Sequence, residues 1–158
     1  MSLFLLNILL AIAWAALTGK FEPINLAFGL GLGFAVLWFI TPNRHLNSYF
    51  VRSLRVIEFI FFFIFEIIKA NLRLAITVLS PHMKLRPAVV AFPLSLKTEA
   101  GIIFLANLIT LTPGTLSLDI SGDRQVLFIH TIFLENPEKF RLQIRQGFER
   151  RVKEILES

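Results

Sequence analysis

The residues of this chain that could do chemistry are ionisable side chains within the apolar helical pattern of residues 52–80. Glu58, Glu66, Lys69 and Arg73 recur at helical spacing, so at 100° per residue they form one stripe. Ionisable groups at membrane depth are costly, and they usually pair with one another or line an ion pathway. Glu66 and Lys69 can pair on one face because they are three residues apart. The stripe is therefore a candidate ion path or a candidate docking face.

The other polar residues within apolar segments are interpreted as structural. His130 lies in a predicted strand among Val, Phe and Ile, and Asn107 lies in an otherwise apolar helix. We expect both to be polar residues of a domain core. The sequence has no cysteine, no glycine-rich phosphate loop, no HExxH motif and no nucleophile elbow. The sequence therefore predicts no catalytic, metal or cofactor site, and the chain is not expected to be an enzyme.

The composition indicates a membrane protein. Of the 158 residues, 55% are hydrophobic and only 17% are charged, whereas soluble domains carry about 25% charged residues. Apolar segments at residues 3–17 and 24–40 predict a hairpin of two membrane helices. Gly29 and Gly33 have the GxxxG spacing that lets two such helices approach closely.

A long third helix is predicted over residues 54–79. The sequence permits two placements of this helix relative to the membrane, spanning it or lying at its surface. The link before this helix and the first turn of the helix are rich in basic residues, which favours the cytoplasmic side: Arg44, His45, Arg52 and Arg55. If the helix spans, this link and the basic C-terminal half lie on opposite sides. If it lies at the interface, both share the cytoplasm. The apolar run Val56–Ile68 favours insertion, so residues 1–80 are expected to form three spans, with the interfacial helix as the alternative.

Residues 81–158 predict a small cytoplasmic α/β domain with the element order β-α-β-β-α. Pro93 predicts that the first strand lies at an edge of the sheet or contains a bulge, and Thr98 can cap the helix that follows. Thr112, Pro113 and Gly114 predict a type II turn, in which Pro fixes the second position and Gly supplies the positive φ of the third.

The last helix of this domain, which begins after Asn136, is amphipathic. Its apolar residues step by three or four, and Arg, Lys and Glu residues are expected on the opposite face. That basic face is expected to be solvated, with anionic lipid headgroups as a second use.

Two segments resemble a known family. The string LANLITLTPGTLSLDI at Leu105–Ile120, followed by LFIH at Leu127–His130, resembles the E subunit of the Mrp-type multisubunit sodium/proton antiporters of bacteria. The resemblance covers nearly the whole chain, including EIIKANLRLA at Glu66–Ala75 and PAVVAFPL at Pro87–Leu94.

The resemblance implies a plasma-membrane complex that exchanges cytoplasmic sodium for external protons and supports alkaline and salt tolerance. In such a complex this chain would be a small accessory subunit without a cofactor, and sodium and protons would be the transported ions. It would be needed for assembly or would contribute to the sodium path, and its partners would be the other subunits and membrane lipids. The alternative is a stand-alone, membrane-tethered regulatory or anionic-lipid-binding module that uses the basic last helix.

Overall fold

The computed structural model of the chain describes residues 3–40, 43–81 and 85–157, without the side chains of residues 43–50. The helices and strands are α1 (Leu3–Thr18), α2 (Pro23–Ile40), α3 (Asn43–Leu79), β1 (Ala88–Pro93), α4 (Glu99–Leu111), β2 (Thr115–Ile120), β3 (Val126–Thr131), α5 (Pro137–Ile144), a π-helical turn (Arg145–Glu149) and α6 (Arg150–Leu156). They form two compact units, Met1–Leu54 and Arg55–Ser158. The second unit therefore includes most of α3, whereas the boundary predicted from the sequence lies at residue 80, after this helix.

Helices α1 and α2 pack closely through small residues. A Cβ atom added to Gly29 would lie 3.1 Å from the backbone of Ala11, and one added to Gly33 would meet Leu10 at 3.2 Å. Gly31, between them, faces open space. The GxxxG packing face predicted from the sequence is therefore confirmed.

The described residues contain one helix long and apolar enough to cross a membrane, α2, whereas α1 is a shorter apolar helix. The turn between the two helices is held by side-chain hydrogen bonds. Trp14 Nε1 donates to Asn25 Oδ1 at 3.0 Å, and Asn25 Nδ2 donates to the Lys20 carbonyl at 2.6 Å. These contacts fix the hairpin at its polar end.

Helix α3 begins at Asn43, eleven residues before the predicted start at residue 54. The prediction of a basic loop is therefore wrong, because Arg52 belongs to this helix. Residues 43–79 contain neither Pro nor Gly, so no residue in this range breaks the backbone hydrogen-bond pattern. The side chains of Arg44 and His45 lie outside the described part of the chain.

The second unit contains the three-stranded antiparallel sheet, in the order β1-β3-β2. Strand β1 lies at an edge and ends at Pro93, and the element order after α3 is the predicted β-α-β-β-α. The core of the unit is apolar and includes Phe92, Leu105, Leu127, Ile129 and Val152. Thr98 and Asn136 cap α4 and α5 as predicted, each accepting hydrogen bonds from backbone N–H groups of the first turn.

The C-terminal helix contains one irregularity that the sequence does not reveal. The π-helical turn Arg145–Glu149 joins α5 to α6, and it inserts one residue relative to α-helical spacing. As a result Phe148 and Glu149, which are adjacent in sequence, are both buried. The amphipathic pattern predicts the Glu residues of this helix on the solvated face, Glu149 among them, and for Glu149 this prediction is wrong.

Candidate functional site: the charged face of the third helix

The charged stripe of α3 contacts the α/β domain of its own chain. Glu58 Oε1 lies 3.3 Å from Arg151 Nη2, and Arg73 Nη2 lies 3.1 Å from Glu135 Oε1. Glu66 pairs with Lys69 at 3.3 Å along the helix, as its spacing predicts. The structure therefore assigns partners to all four charged candidate residues within one compact unit.

Arg151 makes the most extensive of these contacts. Its guanidinium lies 3.9 Å above the ring of Phe62, and its Nη1 donates to the Gly147 carbonyl at 3.1 Å. That carbonyl belongs to the π-helical turn, where the i→i−4 hydrogen-bond pattern is interrupted. A planar guanidinium can stack, pair with a carboxylate and bind a carbonyl together, and only 17% of the Arg151 side chain remains exposed.

Aromatic packing surrounds this contact. The rings of Phe62 and Phe148 meet edge to face with centroids 5.4 Å apart, and Phe59 packs against Phe104 at 5.9 Å. Gly147 makes the approach possible, because a Cβ atom at this position would lie 3.2 Å from the Phe62 ring. We call the contact formed by Phe62, Gly147, Phe148 and Arg151 the aromatic joint.

A cleft of about 590 Å³ lies beside the aromatic joint. Its walls come from α3, from the turn between α4 and β2, and from the C-terminal helix. The charged and amide side chains lining it are Glu66, Lys69, Arg73, Glu135, Asn136, Lys139, Gln143 and Gln146. Three of the four charged candidate residues on α3 therefore line one cleft, and Glu58 does not.

The predicted type II turn forms part of the cleft wall. Thr115 N donates to the Thr112 carbonyl at 3.1 Å, and Gly114 has a φ of 89°. A side chain on Gly114 would also meet the ring of Phe133 at 3.0 Å. Thr112, Pro113 and Gly114 therefore have the predicted geometry, and they hold the end of α4 against the start of β2.

Asn107 and His130 lie apart from the cleft. His130 is half-buried on β3 between Val89 and Leu116, its register partners in the neighbouring strands. Asn107 is exposed, so the expectation of a core position is wrong for it. The buried residues of α4 include Ile102, Leu105 and Leu108, and helical spacing points Asn107 away from them.

Two carboxylates of the C-terminal helix hold the link between β1 and α4. Glu149, only 1% exposed, accepts from Ser95 N at 2.5 Å. Glu157 Oε1 accepts from Lys97 N at 2.7 Å, from Thr98 N at 2.8 Å and from the Thr98 hydroxyl at 3.0 Å. The sequence predicts neither role in holding the β1–α4 link. For Glu149, the only signal that could reveal its inward position is one for the π-helical turn.

The pKa of Glu157 is lower than its usual value. Burial raises the pKa, but hydrogen bonds from Thr98 and Lys97 and the nearby charge of Lys153 outweigh this effect. The ionised carboxylate therefore stabilises the folded state. Among the described residues, no cluster of three His, Asp or Glu side chains could hold a metal ion.

Fold and site together define a chain with an apolar helical hairpin and a small α/β domain bound along its third helix. Comparisons with known proteins give the family. The family described as "Na+/H+ ion antiporter subunit" matches residues 7–155. The chain belongs to this family of antiporter subunits.

Individual relatives agree with this assignment. The chain is 36% identical over 151 residues to the E subunit of the Na(+)/H(+) antiporter of Alkalihalophilus pseudofirmus and 37% identical over 151 residues to that of Bacillus subtilis. In both cases the match covers 96% of each chain. It is also similar to a chain of an archaeal respiratory membrane complex, the membrane-bound sulfane sulfur reductase, with 32% identity and a TM-score of 0.61. That match covers 99% of this chain and 100% of the other.

Replacing Arg151 tests the aromatic joint. Arg151→Lys keeps the charge but loses the stacking on Phe62 and the forked hydrogen bonds. We expect the free energy of unfolding of the full chain in detergent to fall by about 1–2 kcal/mol. The control Arg150→Lys changes an exposed neighbour that pairs with Glu154 at 3.9 Å, and it should stay within about 0.5 kcal/mol. Equal shifts in the unfolding midpoints of the two variants would contradict the assignment.

Replacing Glu157 tests whether its carboxylate stabilises the fold by holding the link between β1 and α4. A carboxylate with a lowered folded-state pKa contributes stability above its unfolded-state pKa, and this contribution is lost as pH falls through the folded-state pKa. Glu157→Gln should therefore be destabilised at pH 7 by about 1 kcal/mol, and its stability should fall less steeply below about pH 4.5. Glu22→Gln is the matched control, because Glu22 is exposed in the α1–α2 turn. Parallel stability–pH curves for Glu157→Gln and the wild type would refute this role.

Proposed function

We propose that the chain is an accessory subunit of a bacterial complex that exchanges cytoplasmic sodium for external protons, and that its task is assembly. The observation that supports this task is the pairing of the α3 stripe, since Glu58 and Arg73 bind the α/β domain. Charges used to hold a domain in place are poorly suited to relay an ion. The other subunits of the complex and the surrounding lipid are the partners.

A contribution to the sodium path is the second candidate. Glu58 keeps 65% of its side chain exposed despite its contact with Arg151. Its carboxylate therefore remains accessible to a cation supplied by a neighbouring subunit. Glu66 is less accessible, with 25% of its side chain exposed and Lys69 beside it.

We propose further that α1 and α2 cross the membrane and that α3 lies along the cytoplasmic surface. The contacts from Arg55 to Arg73 follow about 27 Å of α3, which is most of the thickness of a hydrocarbon core. A spanning α3 would carry the α/β domain, with its exposed charged groups, into the hydrocarbon region. The opposite face of α3 is exposed and apolar: Leu54, Ile57, Phe61, Ile64, Phe65, Ile68, Leu72 and Ile76. Such a two-faced helix suits the interface between lipid and water.

The distribution of charge supports the same placement. The turn between α1 and α2 contains Lys20 and Glu22, whose charges cancel, whereas the other Lys and Arg residues follow Ile40. With two spans, all of these later cations lie on one side of the membrane. The excess of Lys and Arg in cytoplasmic segments then identifies that side as the cytoplasm.

Loss of the subunit tests the assembly role. Deleting it should prevent recovery of the intact complex and abolish sodium export. Glu58→Gln and Glu66→Gln should leave both normal, because the amide oxygen introduced at position 58 can still accept a hydrogen bond from Arg151 in place of the carboxylate. The measurements are co-purification with a tagged large subunit and sodium/proton exchange in membrane vesicles. Sodium export that persists without this chain would refute the proposal. Loss of exchange with normal assembly in Glu58→Gln would assign that carboxylate to the sodium path.

Single cysteines test the topology. The chain has no cysteine of its own, so in the variants Lys20→Cys and Gly122→Cys only the introduced thiol can be labelled. Gly122 accepts a side chain readily because nothing lies within 4 Å of its added Cβ. With two spans, a membrane-impermeant thiol reagent applied to intact cells labels Lys20→Cys and spares Gly122→Cys. Identical labelling of the two variants would show that α3 spans.

A further inference from the structure

The cleft beside the aromatic joint has the donors of an anion site. Its lining contains three cations, Lys69, Arg73 and Lys139, and two carboxylates, Glu66 and Glu135, which gives a net charge of +1. The two carboxylates are already paired with Lys69 and Arg73. The cleft therefore has one cation in excess of its own acids.

Lys139 is that cation. Its backbone N–H is used in the cap of α5, where it donates to Asn136 Oδ1 at 3.1 Å. Within the described part of the chain its ammonium group has no hydrogen bond or ion pair, and its side chain is exposed. Gln143 and Gln146, one and two turns further along the same helix, add amide donors to the cleft lining.

An apolar surface adjoins these donors. Phe65 and Leu72 are 63% and 60% exposed on α3, and each lies about one helical turn from Lys69. A bound molecule could therefore place an anionic group at the cleft and an apolar chain along α3. An amphiphile has both an anionic group for the cleft and an apolar chain for the exposed face of α3, and few other ligands have both.

We propose that the cleft binds the headgroup of an anionic phospholipid whose acyl chains lie along the exposed face of α3. The phosphate accepts hydrogen bonds from Lys139 and the nearby amides, while Lys69 and Arg73 add positive potential. This inference rests on the proposed placement of α3 at the membrane surface, in reach of headgroups. A bound lipid would then join the α/β domain to the membrane at a second point besides the hairpin.

The test is native mass spectrometry of the full chain in a neutral detergent, titrated with phosphatidylglycerol. Phosphatidylcholine with the same acyl chains tests the need for net negative charge, and inorganic phosphate tests the need for a lipid. Phosphatidylglycerol should bind about tenfold more tightly to the wild type than to Lys139→Gln. Arg150→Gln removes a cation from the same helix outside the cleft lining, and its affinity should stay within about twofold of the wild type.

Gln143→Glu is a second variant at an exposed position, and it should weaken binding by repelling the phosphate. Equal affinity for phosphatidylcholine would overturn the proposal, as would competition by inorganic phosphate at the concentration of the lipid. It would also be overturned if Lys139→Gln bound lipid normally but failed to join the complex, because the cleft would then bind an acidic segment of a neighbouring protein. The cysteine labelling tests the placement of α3 independently of lipid binding. A wrong placement of α3 can therefore be distinguished from a cleft that does not bind anionic phospholipid.

Discussion

The contact on which the second compact unit depends is the packing of the Phe62 ring against Gly147 beneath the guanidinium of Arg151. It requires three features together. The π-helical turn supplies carbonyl groups outside the α-helical pattern, glycine allows the ring to approach, and arginine combines stacking with hydrogen bonding. If any one of these three features is replaced, the other two each lose a contact partner. We therefore expect them to stabilise the unit together rather than independently.

The same π-helical turn links α3 to the sheet. By inserting one residue it buries Phe148 toward α3 and turns Glu149 toward the link after β1. Glu157, two turns further along, binds the next residues of that link. The C-terminal helix therefore contacts α3 with one face and holds the β1–α4 link with another. In this way a single element fixes the position of α3 relative to the edge of the sheet.

Features that depend on local chemistry could be predicted from the sequence. The caps at Thr98 and Asn136 and the Thr112-Pro113-Gly114 turn each arise from residues close together in the chain. The partners of the charged stripe could not, because Arg151 is 93 residues from Glu58 and hydrophobic periodicity carries no information about such pairs. Helix α4 is apolar on nearly every side, so periodicity could not orient Asn107 either. A π-helical turn has no reliable signature in residue type, so helical periodicity predicts the wrong face for Glu149.

The two faces of α3 decide how its charges should be understood. A stripe of Glu and Arg within an apolar helix indicates an ion path only if the helix is surrounded by lipid or protein at membrane depth. Here the stripe contacts a domain with many exposed charged side chains, and the remaining circumference is apolar and exposed. Lipid on one side and a hydrated domain on the other is the environment of the membrane surface. In the placement proposed for α3 the cost of burying an ion falls, and attachment of the domain would account for the stripe without any transported ion.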